Sequence, residues 1–185
     1  SQGGPYTVTV TAADGNGGSV NAIFEWAVAN PAPVADADSG STDEGTILDV
    51  AADGVLGNDV DPDGDVLAVS AVAGVAGNVG ASVAGDNGGL FTVNADGSYT
   101  FTPNGDFDAL AVGESATTSV TYTVDDGEGG TDMATLTVTV NGVNDAPTTS
   151  GLADQSSDDA EAVLVDASTA FDDVDGSDTL SYSAT

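Results

Sequence analysis

The sequence predicts an all-β chain of Greek-key β-sandwiches in tandem array. Three observations predict it. Short runs alternate Val and Thr with polar residues, the period-2 pattern of a strand buried on one face. Clusters of Gly, Asp and Asn separate the runs, and these residues accept the dihedral angles of tight turns. A hairpin pattern also occurs twice, each time followed by a proline-containing junction, which marks an internal repeat.

The elements follow in chain order. "YTVTVTA" (Tyr6 to Ala12) and "NAIFEWAVA" (Asn21 to Ala29) read as two strands. The "DGNGG" loop between them, Asp14 to Gly18, makes the pair a β-hairpin. "ANPAPVADAD" (Ala29 to Asp38) then ends it, because proline cannot donate to a ladder. Further strands are predicted at Thr46 to Val50, Val66 to Val72, Gly80 to Ala84, Leu90 to Val93 and Ser98 to Thr102. "NADGSY" (Asn94 to Tyr99) is a tight hairpin turn. "DFDALAVGES" (Asp106 to Ser115) has room for one helical turn before Gly113. Ser119 to Val124 and Asp132 to Val140 form the second hairpin around "DDGEGG", with Asp125 and Asp126 placed as Asp14 is in the first. "VNGVNDAPTTS" (Val140 to Ser150) is the second junction.

This punctuation divides the chain at about residues 32 and 147. Residues 32–147 hold about seven short strands, the content of one two-sheet sandwich. Residues 1–31 resemble the last two strands of such a unit, and residues 148–185 the first strands of another. "AFDDVDGSDTLSYSA" (Ala170 to Ala184) parallels "GNDVDPDGDVLAVSA" (Gly57 to Ala71), each placing an acidic loop before a strand. Among the aromatics, Phe24, Phe91, Phe101, Phe107, Tyr99 and Tyr122 occupy strand-like positions and are expected in cores, as is Trp26.

Composition narrows the function. The 185 residues include 31 Asp and Glu and no Lys, Arg or His, for a net charge of −31. No side-chain salt bridge can form. Two carboxylates ~4 Å apart repel by roughly 4 kcal/mol at an effective dielectric near 20. Dense acidic loops therefore splay into water or enclose a cation. A chain without basic groups offers nothing to phosphate, so nucleic acid and anionic lipid are excluded as partners. No apolar run is long enough to insert in a membrane, and no basic segment precedes an apolar one, so no signal peptide is expected in this stretch of what reads as a longer protein. Cysteine is absent, which removes disulfides and thiol chemistry. With His absent too, zinc, copper and His-based catalysis fall away, and the remaining oxygen ligands suit Ca²⁺ first and Mg²⁺ second. At 40% hydrophobic residues the chain is foldable rather than disordered. Paired carboxylates serve glycoside hydrolysis in some enzymes, but no deep cleft is predicted here and every acidic cluster falls at a turn, so the chain is read as non-enzymatic.

At this point the residues resemble a known group. "LAVGESATTSVTYTVDDGEGGTDMATLTVTVNGVNDAP" (Leu110 to Pro147) and "DGSYTFTPN" (Asp96 to Asn104) resemble VCBS repeats, which are cadherin-like, immunoglobulin-like sandwiches of giant bacterial surface adhesins. The likeness spans Pro33 to Pro147. The flanks resemble dystroglycan-type cadherin-like modules of similar adhesins. "VNGVNDAP" resembles the cadherin linker, in which Asn and Asp precede Ala-Pro and Ca²⁺ lies between domains. Where that family has its first linker acid, this chain has Gly142.

The candidate ligands follow. "NDVDPDGD" (Asn58 to Asp65) places Asp59, Asp61, Asp63 and Asp65 at alternate positions. Asp59, Asp61, Asp63 and Gly64 match an EF-hand loop, but Ser70 stands where its final Glu belongs and strands flank it, so an EF-hand is disfavoured. Asp61 and Asp63 instead resemble the paired acids of the cadherin loop that holds the linker ion. In a seven-strand sandwich the last hairpin turn shares their pole, which brings Asp125 and Asp126 toward them, and the incoming linker adds Asp36 and Asp38. At the other pole Glu44 resembles the cadherin glutamate at the domain base. Asn144, Asp145, Asp173 and Asp175 would join it in a second junction site. Asp14 reads as a turn former. The glycine-rich turns do not match the Ca²⁺-binding β-roll nonapeptide.

The reading is a calcium-stiffened extracellular spacer at a bacterial cell surface, partnered by neighbouring repeats of its own or identical chains. Two alternatives stay open: a sandwich that binds a glycan or surface through Ca²⁺, and a filament subunit completed between chains.

Overall fold

A computed structural model describes residues 5–156 and 164–183. Residues 1–4, 157–163, 184 and 185 lie outside the description, and with them the start and end of the two terminal pieces.

The described chain is all-β. β1 (Tyr6–Ala13) and β2 (Ser19–Trp26) form an isolated antiparallel hairpin. β3 (Asp38–Asp43), β4 (Leu48–Val50), β5 (Ala68–Val72), β6 (Ser82–Ala84), β7 (Leu90–Val93), β8 (Tyr99–Thr102), β9 (Ser115–Asp125) and β10 (Thr131–Asn141) build one sandwich. One sheet runs β3-β10-β9-β5 and the other β4-β8-β7-β6. The chain crosses between them after β3, β4, β5 and β8, which is a Greek-key path. β11 (Thr148–Thr149) and β12 (Phe171–Asp172) make a small antiparallel pair beyond it.

The strands form where alternation is strongest. In β10, Ala134, Leu136, Val138 and Val140 point inward while Thr135, Thr137 and Thr139 stay half-exposed. β9 matches it from the neighbouring position with Thr118, Val120, Tyr122 and Val124. Phe91, Phe101 and Phe107 supply the facing layer, with Phe91 and Phe101 ring centroids 4.7 Å apart. Tyr99, Tyr122, Phe91 and Phe101 are buried at strand positions, as the alternation predicts, whereas Phe107 is buried from a turn and not from the strand expected there.

Three expectations need correction. Asp38–Asp43 is a strand that alternation does not reveal. "DSGSTD" has no apolar side chain, and it is held by parallel pairing to β10, from Leu136↔Asp38 to Asn141↔Asp43. Gly40 is packed closely by Leu48 and the Tyr99 hydroxyl, so the absent side chain is what lets this strand lie flat on the core. Second, residues 106–115 contain no helix. Two successive turns occupy the stretch, closed by the Leu110 N–H to Phe107 carbonyl and the Glu114 N–H to Ala111 carbonyl bonds. The only helical turns among the described residues are 3₁₀, at Gly54–Leu56 and Ala76–Asn78. Third, Phe24 and Trp26 are not in a core. They are 51% and 60% exposed, because the first hairpin has no second layer against it among the described residues.

Candidate metal sites at the two poles

The eleven residues of β9 and of β10 span roughly 35 Å at ~3.4 Å per residue, so their ends define two distant poles. The first pole carries the β9–β10 turn and the loop before β5. The second carries the β3–β4 turn and the chain leaving β10.

At the first pole, Asp61, Asp63 and Asp65 come together, with one oxygen of each within 4.8 Å of the others. Asp61 organises the loop. Its Oδ1 accepts the N–H groups of Asp63 (3.0 Å), Gly64 (2.9 Å) and Asp65 (3.2 Å). Its Oδ2 is buried with no hydrogen bond. Burial works against ionisation of Asp61, but the backbone N–H donors of Asp65, Asp63 and Gly64 hold its carboxyl below the usual range.

Neither Asp125 nor Asp126 of the hairpin turn joins that group among the described residues, though Asp126 lies near enough for its carboxyl to feel the charge of Asp61. Asp126 is 4% exposed, and its Oδ1 accepts the N–H groups of Glu128 and Gly130 at 2.8 and 2.9 Å. Its Oδ2 accepts the side-chain amide of Asn30, at 2.8 Å, from the incoming linker. Burial again opposes ionisation, yet the Glu128, Asn30 and Gly130 donors keep this carboxyl low, against the nearby charge of Asp61. Asp125 turns into its own loop, accepting the Gly127 N–H at 2.7 Å, and joins no metal-sized cluster among the described residues.

Asp59, Asp36 and Asp38 form a separate group. Asp59 Oδ1 accepts the Asp36 N–H at 2.8 Å, while its Oδ2 is buried without a hydrogen bond. The Tyr122 hydroxyl lies 2.6 Å from Asp38 Oδ2 and 3.0 Å from the carbonyls of Asp36 and Val55, and its one proton serves these three acceptors. Burial pushes Asp38 up, opposed by the Tyr122 bond and assisted by the charge of Asp36. Burial also raises Asp59 against the Asp36 N–H bond, with the charges of Asp38, Asp36 and Asp132 adding to the rise. The alternation that groups Asp59 with Asp61 in sequence therefore splits in space.

The second pole is built by the end of β3. Thr46 N–H donates to the Asp43 carbonyl, Thr42 Oγ1 to the Thr46 carbonyl, and Glu44 N–H to the Asn141 carbonyl. These bonds pin Glu44 over the chain leaving β10, only 4% exposed. Its Oε1 accepts the Val143 N–H at 2.8 Å, and its Oε2 has no hydrogen-bond partner. Facing it is Asp175, 2% exposed. Asp175 Oδ2 accepts the Asp145 N–H at 2.9 Å, and its Oδ1 is unpartnered. Glu44, Asp145 and Asp175 each bring one oxygen within 4.8 Å of the others. Asp173 supports the loop by accepting the Asp175 N–H at 3.1 Å, and it belongs to a second group with Asp175 and Asp178. Asn144 stays exposed, donating to the Asp145 carbonyl.

The chain belongs to the bacterial cadherin-like domain family. The family's profile matches residues 30–142, which contain both β-sheets of the sandwich. No curated protein matches the chain. A solved structure from Saccharophagus degradans, described as a nucleoside hydrolase-related hypothetical protein associated with carbohydrate metabolism, is 18% identical with a TM-score of 0.36. The match covers 62% of this chain and 26% of that one, so this chain spans about a quarter of that protein's length. A likeness this low carries no conclusion about fold or activity.

Within the cadherin-like domain, several positioning residues escape sequence reading. Asn30 reaches Asp126, and Asp132 Oδ2 accepts the Ala35 N–H at 3.0 Å. Asp178 could have been found from its match to Asp65 in the parallel between the two acidic loops. The carbonyl of Ala109 accepts the Gly176 N–H at 3.1 Å and docks the Asp173–Asp178 loop. Gly142 also acquires a reason. A β-carbon there would collide with the carbonyls of Leu110 and Ala111, so an acid at this position would displace the 106–114 loop. Gly142→Ala is expected to cost about 1–3 kcal/mol by overpacking, read as a lower denaturant midpoint at unchanged slope.

Proposed function

We propose that this cadherin-like segment is a non-catalytic spacer of a bacterial surface adhesin, stiffened by Ca²⁺ at its interdomain junctions. The observation that carries the reading is at the second pole. Glu44 and Asp175, from successive units, are both buried, and each keeps one oxygen without a hydrogen bond. A buried carboxylate without a counter-charge costs several kcal/mol, roughly, even after relaxation. The chain has no Lys, Arg or His to supply that charge, so it must come from outside. All-oxygen donors suit a hard cation, and an adaptable set of carboxylates and carbonyls suits Ca²⁺ better than the strictly octahedral Mg²⁺.

Glu44, Asp145 and Asp175 would hold one ion, with Asp173 and Asp178 beside it. Asp61, Asp63 and Asp65 would hold another at the first pole, with Asp126 close by. Bound Ca²⁺ supplies the missing positive charge and turns repulsion across the linker into shared coordination. With the chain divided at residues 1–31, 32–147 and 148–185, one such site would fall at each junction. The likeness of residues 33–147 to VCBS repeats, and of the flanks to dystroglycan-type modules, supports a tandem array outside the cell. No helix of the described residues is long and apolar enough to cross a membrane.

The test is a Ca²⁺ titration of chelator-stripped protein, followed by small-angle X-ray scattering and thermal melting. Extracellular modules bind with dissociation constants on the order of 10⁻⁴ to 10⁻³ M. At tenfold excess each site adds about 1.4 kcal/mol. The expected result is a higher Tm together with a longer, stiffer particle. A flat response in both readouts would leave the carboxylates as solvated surface and overturn the proposal.

A further inference from the structure

We propose that Asn104 is a site of spontaneous covalent modification. Its linkage to Gly105 rearranges to aspartate and isoaspartate and loosens the sandwich there, while hydrogen bonds protect the other Asn–Gly pairs of the sandwich. The inference rests on turn geometry and hydrogen bonding, not on the cation sites.

The chemistry needs only the chain and water. The glycine N–H gives its proton to solvent base, and its nitrogen attacks the asparagine Cγ. A C–N bond forms, the side-chain nitrogen leaves as ammonia, and a succinimide ring results. Water then opens the ring at either carbonyl. One product is Asp, and the other is an isoaspartyl linkage with one extra backbone carbon. Glycine favours the attack because no β-carbon obstructs it. A pair reacts when two groups are free: the glycine N–H that attacks, and the asparagine side chain that must swing to meet it.

The sequence holds four such pairs, Asn16–Gly17, Asn87–Gly88, Asn104–Gly105 and Asn141–Gly142, and the last three belong to the sandwich. The Asn87 side chain donates to the Thr117 carbonyl at 3.1 Å, and the Gly88 N–H to the Gly85 carbonyl at 3.4 Å. The Asn141 side chain donates to the Thr42 carbonyl at 3.2 Å, and the Gly142 N–H to the Glu114 carbonyl at 3.0 Å. At each of these pairs both groups are tied, and both must be released before the ring can close.

Asn104 is the opposite case. Neither its side chain nor the Gly105 N–H has a hydrogen bond among the described residues. Both residues are exposed. They form the centre of a type I′ turn, with φ of 60° and 77°, closed by the Asp106 N–H to Pro103 carbonyl bond at 3.2 Å. The turn lies between β8 and β9, outside both sheets, so the rotation that closes the ring breaks no strand pairing.

The surroundings give the modification a consequence. The exposed turn is strung between two buried residues, Pro103 and Phe107. Asp106 Oδ2 accepts the Gly89 N–H at 2.7 Å, and Gly89 lies so close to the Phe101 ring that a β-carbon there would collide with it. An isoaspartyl carbon lengthens the chain between these anchors and pulls Asp106 away from Gly89. It also adds a carboxylate to a turn that already carries Asp106 and Asp108.

The test holds the full chain in warm, mildly alkaline buffer, then unfolds it, digests it with chymotrypsin and maps the peptides by mass spectrometry. Cleavage after Phe101 and Phe107 isolates Thr102 to Phe107. Asn104 should convert about tenfold faster than Asn87 and Asn141, with isoaspartate the larger product. In urea, where the protecting bonds are gone, the three rates should converge. Equal rates in the folded protein, or the same ranking in urea as in buffer, would overturn the proposal. Asn104→Asp carries the new charge without the longer backbone and should melt close to the parent, whereas the isoaspartyl fraction should melt lower. An isoaspartyl fraction that melts with the parent would overturn the proposed loosening.

Discussion

Glu44→Gln is expected to invert the order of stabilities with and without Ca²⁺. In metal-free buffer the variant should melt above the parent, and in excess Ca²⁺ below it. Gln keeps an oxygen to accept the Val143 N–H, so the turn after β3 retains its anchor. What changes is the second oxygen, which is buried with no hydrogen bond and faces Asp145 and Asp175 in a chain without basic groups. Replacing it by a neutral amide removes like-charge repulsion, a gain of roughly 1 kcal/mol or more at a buried site. With Ca²⁺ present the same change removes a charged ligand from a small set. A tenfold or greater loss of affinity is expected, about 1.4 kcal/mol. The measurement is paired thermal melts and calorimetric titration of the two proteins. Parallel shifts in both buffers would make Glu44 a structural residue only, and the second-pole site would fall.

Phe101→Ala supplies the contrast, and its effect on stability should be the larger. Phe101 is fully buried between Phe91 and Phe107, with ring centroids 4.7 and 6.3 Å away. Truncating a buried Phe costs about 3–5 kcal/mol, combining lost transfer energy with the cavity left behind. This loss is independent of charge, so it should lower the metal-free and Ca²⁺-loaded curves together, without a crossing. Urea titration in both buffers checks it. A variant that lost stability only with Ca²⁺ present would mean that the ion, rather than the core, sets cohesion of the sandwich.

Much of the architecture was legible because the signals are local. Strong alternation, as in "TLTVTV", and glycine-rich turns report strands and hairpins without reference to the rest of the chain. β3 was not legible. "DSGSTD" is a strand because β10 offers it a parallel edge, and pairing across about a hundred residues leaves no trace in a six-residue pattern. The turn at residues 106–114 misled for a related reason. Its Ala-Leu-Ala composition favours a helix, but the chain there must turn twice to carry Phe107 into the core and the Ala109 carbonyl to the Gly176 N–H.

The acidic loops divide along the same line. By itself the sequence determined that the fold is all-β, that carboxylates gather at turns, and that any counter-charge must come from outside, since these follow from side-chain period and composition. Only the tertiary structure decided which oxygens are left wanting. It buries Asp126 and turns Asp125 aside, sends Asp59 to Asp36, sets Glu44 against Asp175, and leaves Phe24 and Trp26 uncovered. Burial and hydrogen-bond supply depend on what the facing layer and the adjoining unit bring to each position, and no single stretch of chain carries that information.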